Sequence, residues 1–382
     1  MSLNKNLLRK LIELRKHLHK HPELSGREKL TAKTLHEHLS LAGADEIITG
    51  IGGHGIAGIY DSKHSGPTVL IRADMDALPI QESNNFDYKS EKEGVAHLCG
   101  HDGHSAILTG LAYLLKEEKP AKGRVVLLFQ PSEETGEGAA LVINDKKFSK
   151  IKPDYSFALH NLPGFDKGTI YTKEGSFASA STGIIVKLKG LSSHAAHPED
   201  GNNPDITMAH LVLGLNKLVS DKSKFKDFTL LTVIHTKLGE RAFGTTPGNA
   251  VVMATLRTYL NDDMVVLKKE AEDLIKKICK EHEIKYDISY VEEFPATVND
   301  SECTNFVMKS ASELNITTKT LAAPFRWSED FGHFTQQGKG VLFGIGSGVN
   351  HPQLHNEDYD FPDEIIEPAL LTFEKIIRKI NK

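Results

Sequence analysis

Between His97 and His104 the chain reads His-Leu-Cys-Gly-His-Asp-Gly-His, with two glycines that let the backbone turn tightly. A cysteine and a histidine two positions apart can reach one metal centre from a short loop. Cys99 alone is open to three readings: a metal ligand, a thiol nucleophile paired with His101 or His104, or a small buried hydrophobe. Further along, Pro131-Ser-Glu-Glu-Thr-Gly136 sets two adjacent carboxylates in a turn. They point in different directions, so one can bind a metal while the other faces a bound water and takes its proton. His160-Asn161 and Leu354-His-Asn356 add two more imidazoles. Singly, each has an ordinary reading as a solvated acidic turn or a satisfied strand-end histidine.

The elements that must position these groups read as an alternation of strands and helices. Short apolar runs at 55–60 and 68–73, bounded by glycine and proline, read as strands, and the second delivers Asp74-Met-Asp76. The run 124–130 is a buried strand delivering Glu133-Glu134, and 155–159 is a strand delivering His160. Three strands thus each end in metal-capable or acid-base residues, where α/β sheets bind their ligands. The fold class expected is α/β: a mixed, mostly parallel sheet with helices on both faces. Helices are expected at 5–20, where Leu7, Leu8, Leu11, Leu14 and Leu18 recur at helical spacing, and at 28–43, 105–117 and 364–381. His17, His19 and His21 do not converge on one point at two-residue spacing, so a solvated helix face with a helix-end histidine is expected there.

From residue 179 the texture changes. The segment 183–189 alternates apolar and polar residues, as a strand with one solvated face should. A helix at 204–219, strands at 229–235 and 251–259, a helix at 262–282 and a strand at 285–291 follow. This β-α-β-β-α-β order is that of the ferredoxin-like unit. Residues 179–291 are therefore read as an inserted α+β domain, and 1–178 with 292–382 as one discontinuous domain.

At 382 residues the chain is long for a single core. Its net charge of −5 with both signs mixed argues against nucleic-acid or anionic-membrane partners. Only three cysteines occur, at 99, 279 and 303, too scattered for a disulfide framework, which favours a reducing compartment. The segment 1–20 is charged throughout and no window approaches a membrane span, so a cytoplasmic location is expected.

Cys99-Gly-His-Asp-Gly-His104, Pro131-Ser-Glu-Glu134, Ala158-Leu-His-Asn161 and Leu354-His-Asn356 together resemble the M20 metallopeptidase/amidohydrolase family. The likeness runs from Arg15 to Phe361, and the cysteine-containing loop is similar to the amidohydrolase subfamily. That branch includes hippurate hydrolases, N-acyl-amino-acid amidohydrolases, auxin-conjugate hydrolases and N-acetyl-diaminopimelate deacetylases. The resemblance implies that Cys99, His101, Glu134, His160 and His355 hold two divalent cations, with Cys99 bridging them. Zinc or manganese suits this donor set, with cobalt or nickel as alternatives. Glu133 is implied as general base and later proton donor, and Asp76 as the group orienting a histidine ligand.

In Ser193-His-Ala195 the resemblance implies that His194 donates to the developing oxyanion, in dimeric members often across the subunit interface. Arg257, in Thr255-Leu-Arg-Thr258, is implied as a clamp on a substrate carboxylate. Here the chain departs from the family pattern, with Ala254 for the usual glycine and Gly244-Thr-Thr-Pro-Gly248 where many members carry Asn-x-Ile-Pro-Asp. Glu329 and Asp330, in Ser328-Glu-Asp-Phe331, read as supporting residues. The implied activity is metal-dependent hydrolysis of the amide bond of an N-acyl amino acid or related small conjugate; separately, the inserted domain, whose sheet edge or helices can pair, points to a homodimer. The alternatives are a dipeptidase or aminopeptidase on the same centre, a catalytically silent metal- or ligand-binding member, and a cysteine hydrolase.

Overall fold

The computed structural model describes residues 3–382; the first two residues of the amino-terminal segment and of the first expected domain lie outside the described residues. In chain order the elements are α1 (Lys5–Lys20), α2 (Lys29–Leu41), β1 (Glu46–Ile51), β2 (Gly55–Asp61), β3 (Thr68–Asp74), α3 (His101–Glu117), β4 (Arg124–Gln130), α4 (Gly138–Asn144), β5 (Tyr155–Pro163), β6 (Ile170–Thr172) and β7 (Gly175–Ala178). Then come β8 (Ala180–Lys189), α5 (Asp205–Leu218), β9 (Thr229–Leu238), β10 (Asn249–Thr258), α6 (Asn261–Glu281) and β11 (Lys285–Phe294). The chain closes with β12 (Thr297–Asn299), α7 (Ser301–Glu313), β13 (Thr318–Thr320), α8 (Gly332–Thr335), β14 (Lys339–Gly348) and α9 (Ile366–Ile380). It divides into two compact units, one running through Phe177 and joined by Thr297–Pro324 and Glu329–Lys382, the other comprising Ala178–Ala296 with Phe325–Ser328.

The first unit is built on an eight-stranded sheet in the order β1-β2-β4-β3-β5-β14-β6-β13. Its middle, β4-β3-β5-β14, is parallel throughout, and the antiparallel pairs lie towards the edges. Parallel strands covered on both faces carry near-continuous apolar runs, and β3 and β4 do so. Val69, Ile71, Val125, Leu127 and Phe129 share a core with α1, α3 and α9. The alternate residues Leu70, Val126, Leu128 and Leu342 point to the opposite face and are equally buried, where α4 and α8 meet β4 and β14.

Three sequence-based expectations change. The strand expected to stop at 159 continues as β5 to Pro163, because β14 pairs alongside it and sets His160 opposite Gly344. His160 and Asn161 therefore lie within a strand rather than beyond one. The helix expected from 105 begins at His101, so His101, Asp102 and His104 occupy its first turn. Gly100 precedes it at φ 98°, and a Cβ there would lie 2.5 Å from Asn161 Oδ1, so this entry turn requires glycine. His19, expected on a solvated face, is fully buried between Asp102 and Glu82.

In the second unit the β-α-β-β-α-β order is the one observed, as a four-stranded antiparallel sheet β11-β8-β10-β9. Ile184, Val186 and Leu188 from β8 and Val252, Ala254 and Leu256 from β10 pack with Leu211 and Leu215 of α5 and Leu267, Ala271 and Ile275 of α6. Among the described residues no helix is long and apolar enough to cross a membrane.

Candidate metal centre

The groups read from the sequence gather at the carboxyl ends of the central strands of the first unit. Asp76, two residues past β3, ties three of the segments together. Its backbone oxygen lies 2.9 Å from His101 Nδ1, and its Oδ1 lies 3.3 Å from the same nitrogen. Its Oδ2 accepts from the Ser25 hydroxyl at 2.7 Å and from the Glu134 N–H at 3.0 Å. With Nδ1 donating to Asp76, His101 turns Nε2 toward Glu133 and Glu134.

Cys99 Sγ lies 3.5 Å from His160 Nε2. His101 Nε2 lies 3.8 Å from Glu134 Oε1 and 3.8 Å from Glu133 Oε2, and His355 Nε2 lies 3.6 Å from Glu134 Oε2. Donor atoms of Cys99, His101 and His160 all fall within 4.8 Å of one another, as do those of Cys99, Glu134 and His355. Spacings of this size match the edge of a tetrahedron of ligands about 2.0–2.3 Å from a shared cation. His101 Nε2 and Glu134 Oε1 are buried without a hydrogen-bond partner, a costly state for polar atoms unless a cation satisfies them. The donor set fits divalent cations.

Backbone strain marks two of these positions. His355 adopts φ 66°, and its N–H donates to Leu98 O at 2.8 Å, which docks this half-exposed imidazole against the Cys99 loop. Ser132, immediately before Glu133, adopts φ 57°, with its N–H bonded to Glu28 Oε1 at 2.9 Å. Left-handed backbone at non-glycine residues is held in place by its surroundings and clusters at functional sites.

Burial, with Glu134 and Glu133 nearby, pushes the Cys99 thiol well above its ordinary value. Burial and the neighbouring Glu329 and Glu134 likewise raise Glu133 well above the usual carboxylate range, against the pull of Arg72. Burial raises Glu134 too, although His101 opposes it. Burial would lower His101, but Asp74, Asp76 and Glu134 outweigh it and raise the imidazole to about 10. The anionic surroundings that favour a proton on Nε2 favour a metal cation there equally. His160, lowered to about 3 by burial and by His104, is a neutral imidazole, the form that ligates metal.

His104 is not in the donor set. Its Nδ1 is engaged by Asp74 Oδ1 at 2.6 Å and its Nε2 by Asn161 Oδ1 at 2.7 Å. Beneath the site lies a residue that sequence reasoning missed. Arg72, fully buried in β3, reaches Asp74 at 2.6 Å, Glu329 at 2.9 Å, Asp330 at 2.7 Å and Gln130 at 2.9 Å. Asp330 in turn offers its N–H to Glu133 Oε1 at 3.5 Å. The signal was present in the sequence, because an arginine inside a buried apolar strand requires carboxylates around it.

His194 and Arg257 belong to the second unit. His194 is exposed, and its Nδ1 accepts the N–H of Ala196 at 3.0 Å. Arg257 Nη1 donates to the Arg326 carbonyl at 2.9 Å and to the Ser328 hydroxyl at 3.0 Å.

Residues 70–379 match the model of peptidase family M20/M25/M40. The chain belongs to this family. It is 31% identical over 374 residues to the hippurate hydrolase of Campylobacter jejuni, covering 97% of this chain and 96% of that one. It is 32% identical over 376 residues to the N-acetyl-L-cysteine deacetylase of Bacillus subtilis, covering 98% and 89%. Among solved structures, the Bacillus subtilis YXEP protein, a dinuclear metal binding peptidase from the M20 family, matches with a TM-score of 0.84 at 25% identity over 99% of each chain. The protein is thus an M20-family hydrolase, and the resemblance first read from four short motifs extends across nearly its whole length.

Proposed function

We propose that this M20 hydrolase cleaves the amide bond of N-acyl amino acids or related small conjugates, with Glu133 moving the proton. The reading rests above all on the gathering of Cys99, His101, Glu134, His160 and His355, remote in sequence, into overlapping groups, with the Glu133 carboxyl beside His101. The hippurate hydrolase and N-acetylcysteine deacetylase relatives support the substrate class. These five residues hold two divalent cations, zinc or manganese before cobalt or nickel given thiolate, imidazole and carboxylate donors together. When bound, the cations polarise the substrate carbonyl and acidify a water.

Glu133 takes a proton from the attacking water as the C–O bond forms. It returns that proton to the nitrogen as the C–N bond breaks, so the acid and the free amine leave with charge and atoms balanced. Its raised proton affinity suits both halves of this task. Asp76 keeps His101 oriented, and His194 donates an imidazole N–H to the carbonyl oxygen as negative charge accumulates there. Arg257 pairs with the carboxylate of the amino-acid portion. In this reading residues 1–178 and 292–382 form the catalytic metal-binding domain, and 179–291 a lid and dimerisation domain. The exposed edge strand β9, with Ile234 62% exposed, supports a second copy of the chain as partner. A reducing, cytoplasmic setting suits a thiolate ligand and three cysteines without disulfides.

The test is a substrate panel with metal-loaded protein. N-benzoyl and N-acetyl amino acids should be hydrolysed and free-amine dipeptides left intact. Turnover confined to the dipeptides would replace this reading with a dipeptidase on the same centre.

A further inference from the structure

The run Gly244-Thr-Thr-Pro-Gly248, where the chain departs from its family's pattern, has no part in the reading above. In the structure it lies along the segment that carries His194. His194 and Thr245 form an antiparallel bridge, and the Ala195 N–H donates to Gly244 O at 3.1 Å. Thr246 holds Ser193 through both its backbone and its hydroxyl. Its N–H donates to Ser193 O at 2.9 Å, its Oγ1 accepts the Ser193 N–H at 2.8 Å, and the two hydroxyls lie 2.9 Å apart. At the end of the run, the Gly190 N–H donates to Gly248 O at 2.8 Å. A Cβ on Gly248 would meet Ser192 N at 2.8 Å, so this approach requires glycine.

Clamped in this way, residues 193–197 form a tight turn closed by His197 N–H on His194 O at 2.8 Å. Within it the Ala196 N–H points at His194 Nδ1 from 3.0 Å. A backbone N–H can only donate, so Nδ1 must be the unprotonated nitrogen and the neutral ring carries its proton on Nε2. That is the tautomer an oxyanion donor needs, with the N–H at the outer end of the ring.

We propose that Gly244–Gly248 acts as a clamp that lets the Ala196 N–H fix His194 as the Nε2–H tautomer, with Thr246 as the positioning residue. The inference rests on the reading of His194 as oxyanion donor and gives the departing run its own task in that role. Loss of the Thr246 hydroxyl leaves the Ser193 N–H without its acceptor and loosens the turn, which only backbone bonds then hold, and a loosely held donor stabilises the transition state less well.

Metal-loaded protein labelled with 15N in histidine is the sample, with a His194→Asn variant assigning the His194 ring signals. The wild-type ring should show protonated Nε2 and bare Nδ1; a neutral ring with its proton on Nδ1 overturns the proposal without any variant. Thr246→Val should mix the two tautomers and lower kcat for N-benzoylglycine by about tenfold or more, with KM and metal content little changed. Thr246→Ser, which keeps the hydroxyl, should restore both signals and kcat to within about twofold. A Thr246→Val protein with the wild-type ring signature, whatever its kcat, overturns the clamp. His194→Ala separates this from the underlying reading: it should cost about a hundredfold in kcat, and full activity there refutes the donor role itself.

Discussion

His19 Nδ1 stands 2.9 Å from Asp102 Oδ2, joining the first helix to the first turn of α3 beneath the Cys99 loop. On its other side His19 Nε2 meets Glu82 Oε1 at 3.1 Å. Arg15, one helical turn earlier, approaches the same Asp102 oxygen at 3.7 Å and binds Asp360 at 2.7 Å. Both ring nitrogens of a fully buried imidazole thus face carboxylates, and the pair Arg15–His19 is the cationic half of a buried network. The network holds the α3 turn that presents His101.

Replacing His19 should therefore destabilise the protein in a pH-dependent way. Burial lowers the imidazole's proton affinity, but hydrogen bonds to Asp102 and Glu82 outweigh it and raise the pKa from 6.5 to about 9. The folded ring holds its proton more tightly than the unfolded one. Its contribution is therefore complete below pH 6.5 and is lost as the pH rises through about 9. His19→Gln should cost about 3–5 kcal/mol at pH 6, as for one partner removed from a buried ionic network. In urea unfolding at a fixed metal concentration, the gap between wild type and variant should narrow from pH 6.5 to 9. A gap that stays constant would show that His19 is not protonated in the fold.

Arg72 carries a second test of buried charge. Arg72→Met leaves Asp74, Glu329 and Asp330 facing one another without a cation and should cost about 3–5 kcal/mol. Arg72→Lys restores the charge but not the planar fork that reaches Gln130 and three carboxylates, so it should recover only part of that loss. Thermal midpoints of the three proteins rank them, and a Lys variant as stable as wild type would reduce the role of Arg72 to charge alone.

Much of the site could be read from residue types because its strands announce themselves. The apolar runs of β3 and β4 are short and bounded, and the acid groups follow directly. The second unit's element order was legible for the same reason, since alternation in β8 and helical spacing in α6 are local properties. What escaped was set by tertiary partners. His19 looks like a surface residue on a charged helix, and only Asp102 and Glu82, 83 and 63 residues away, make it a core residue. The extension of β5 through His160 depends on its pairing with β14, which no property of residues 155–163 specifies. The Arg72 cluster fell between the two cases: Asp74, Glu329 and Asp330 were legible beside the site, but the arginine that joins them was not.

Glu133 and Glu134 should separate cleanly under mutation. Glu133→Gln removes the proton acceptor while keeping shape, and should lower kcat by about 10²–10⁴ with metal content unchanged. Glu134→Gln should instead lower the metal bound per chain, because Glu134 Oε1 and Oε2 face His101 and His355. Elemental analysis of the purified variants beside their kcat values makes the comparison. If Glu133→Gln loses metal in proportion to activity, the two carboxylates share the ligand role and the base lies elsewhere.

The cysteine-hydrolase alternative meets its test at Cys99 and His160. His160 Nδ1 donates to Asn161 O at 2.8 Å, which turns the Nε2 lone pair toward Cys99 Sγ at 3.5 Å. Taken alone, that pair is as compatible with a thiol and its base as with two ligands of one cation. Two further donors, Glu134 and His355, converge on the same sulfur, and a carboxylate beside a thiol opposes formation of the thiolate nucleophile. Chelation should therefore abolish hydrolysis and added zinc or manganese restore it. At about a hundredfold excess over its dissociation constant, the metal should also stabilise the fold by about 2.7 kcal/mol. Cys99, only 6% exposed, should resist alkylation in the metal-loaded protein and react faster after chelation. Activity that survives the chelator and disappears on alkylation would move the chemistry from the cations to the thiol.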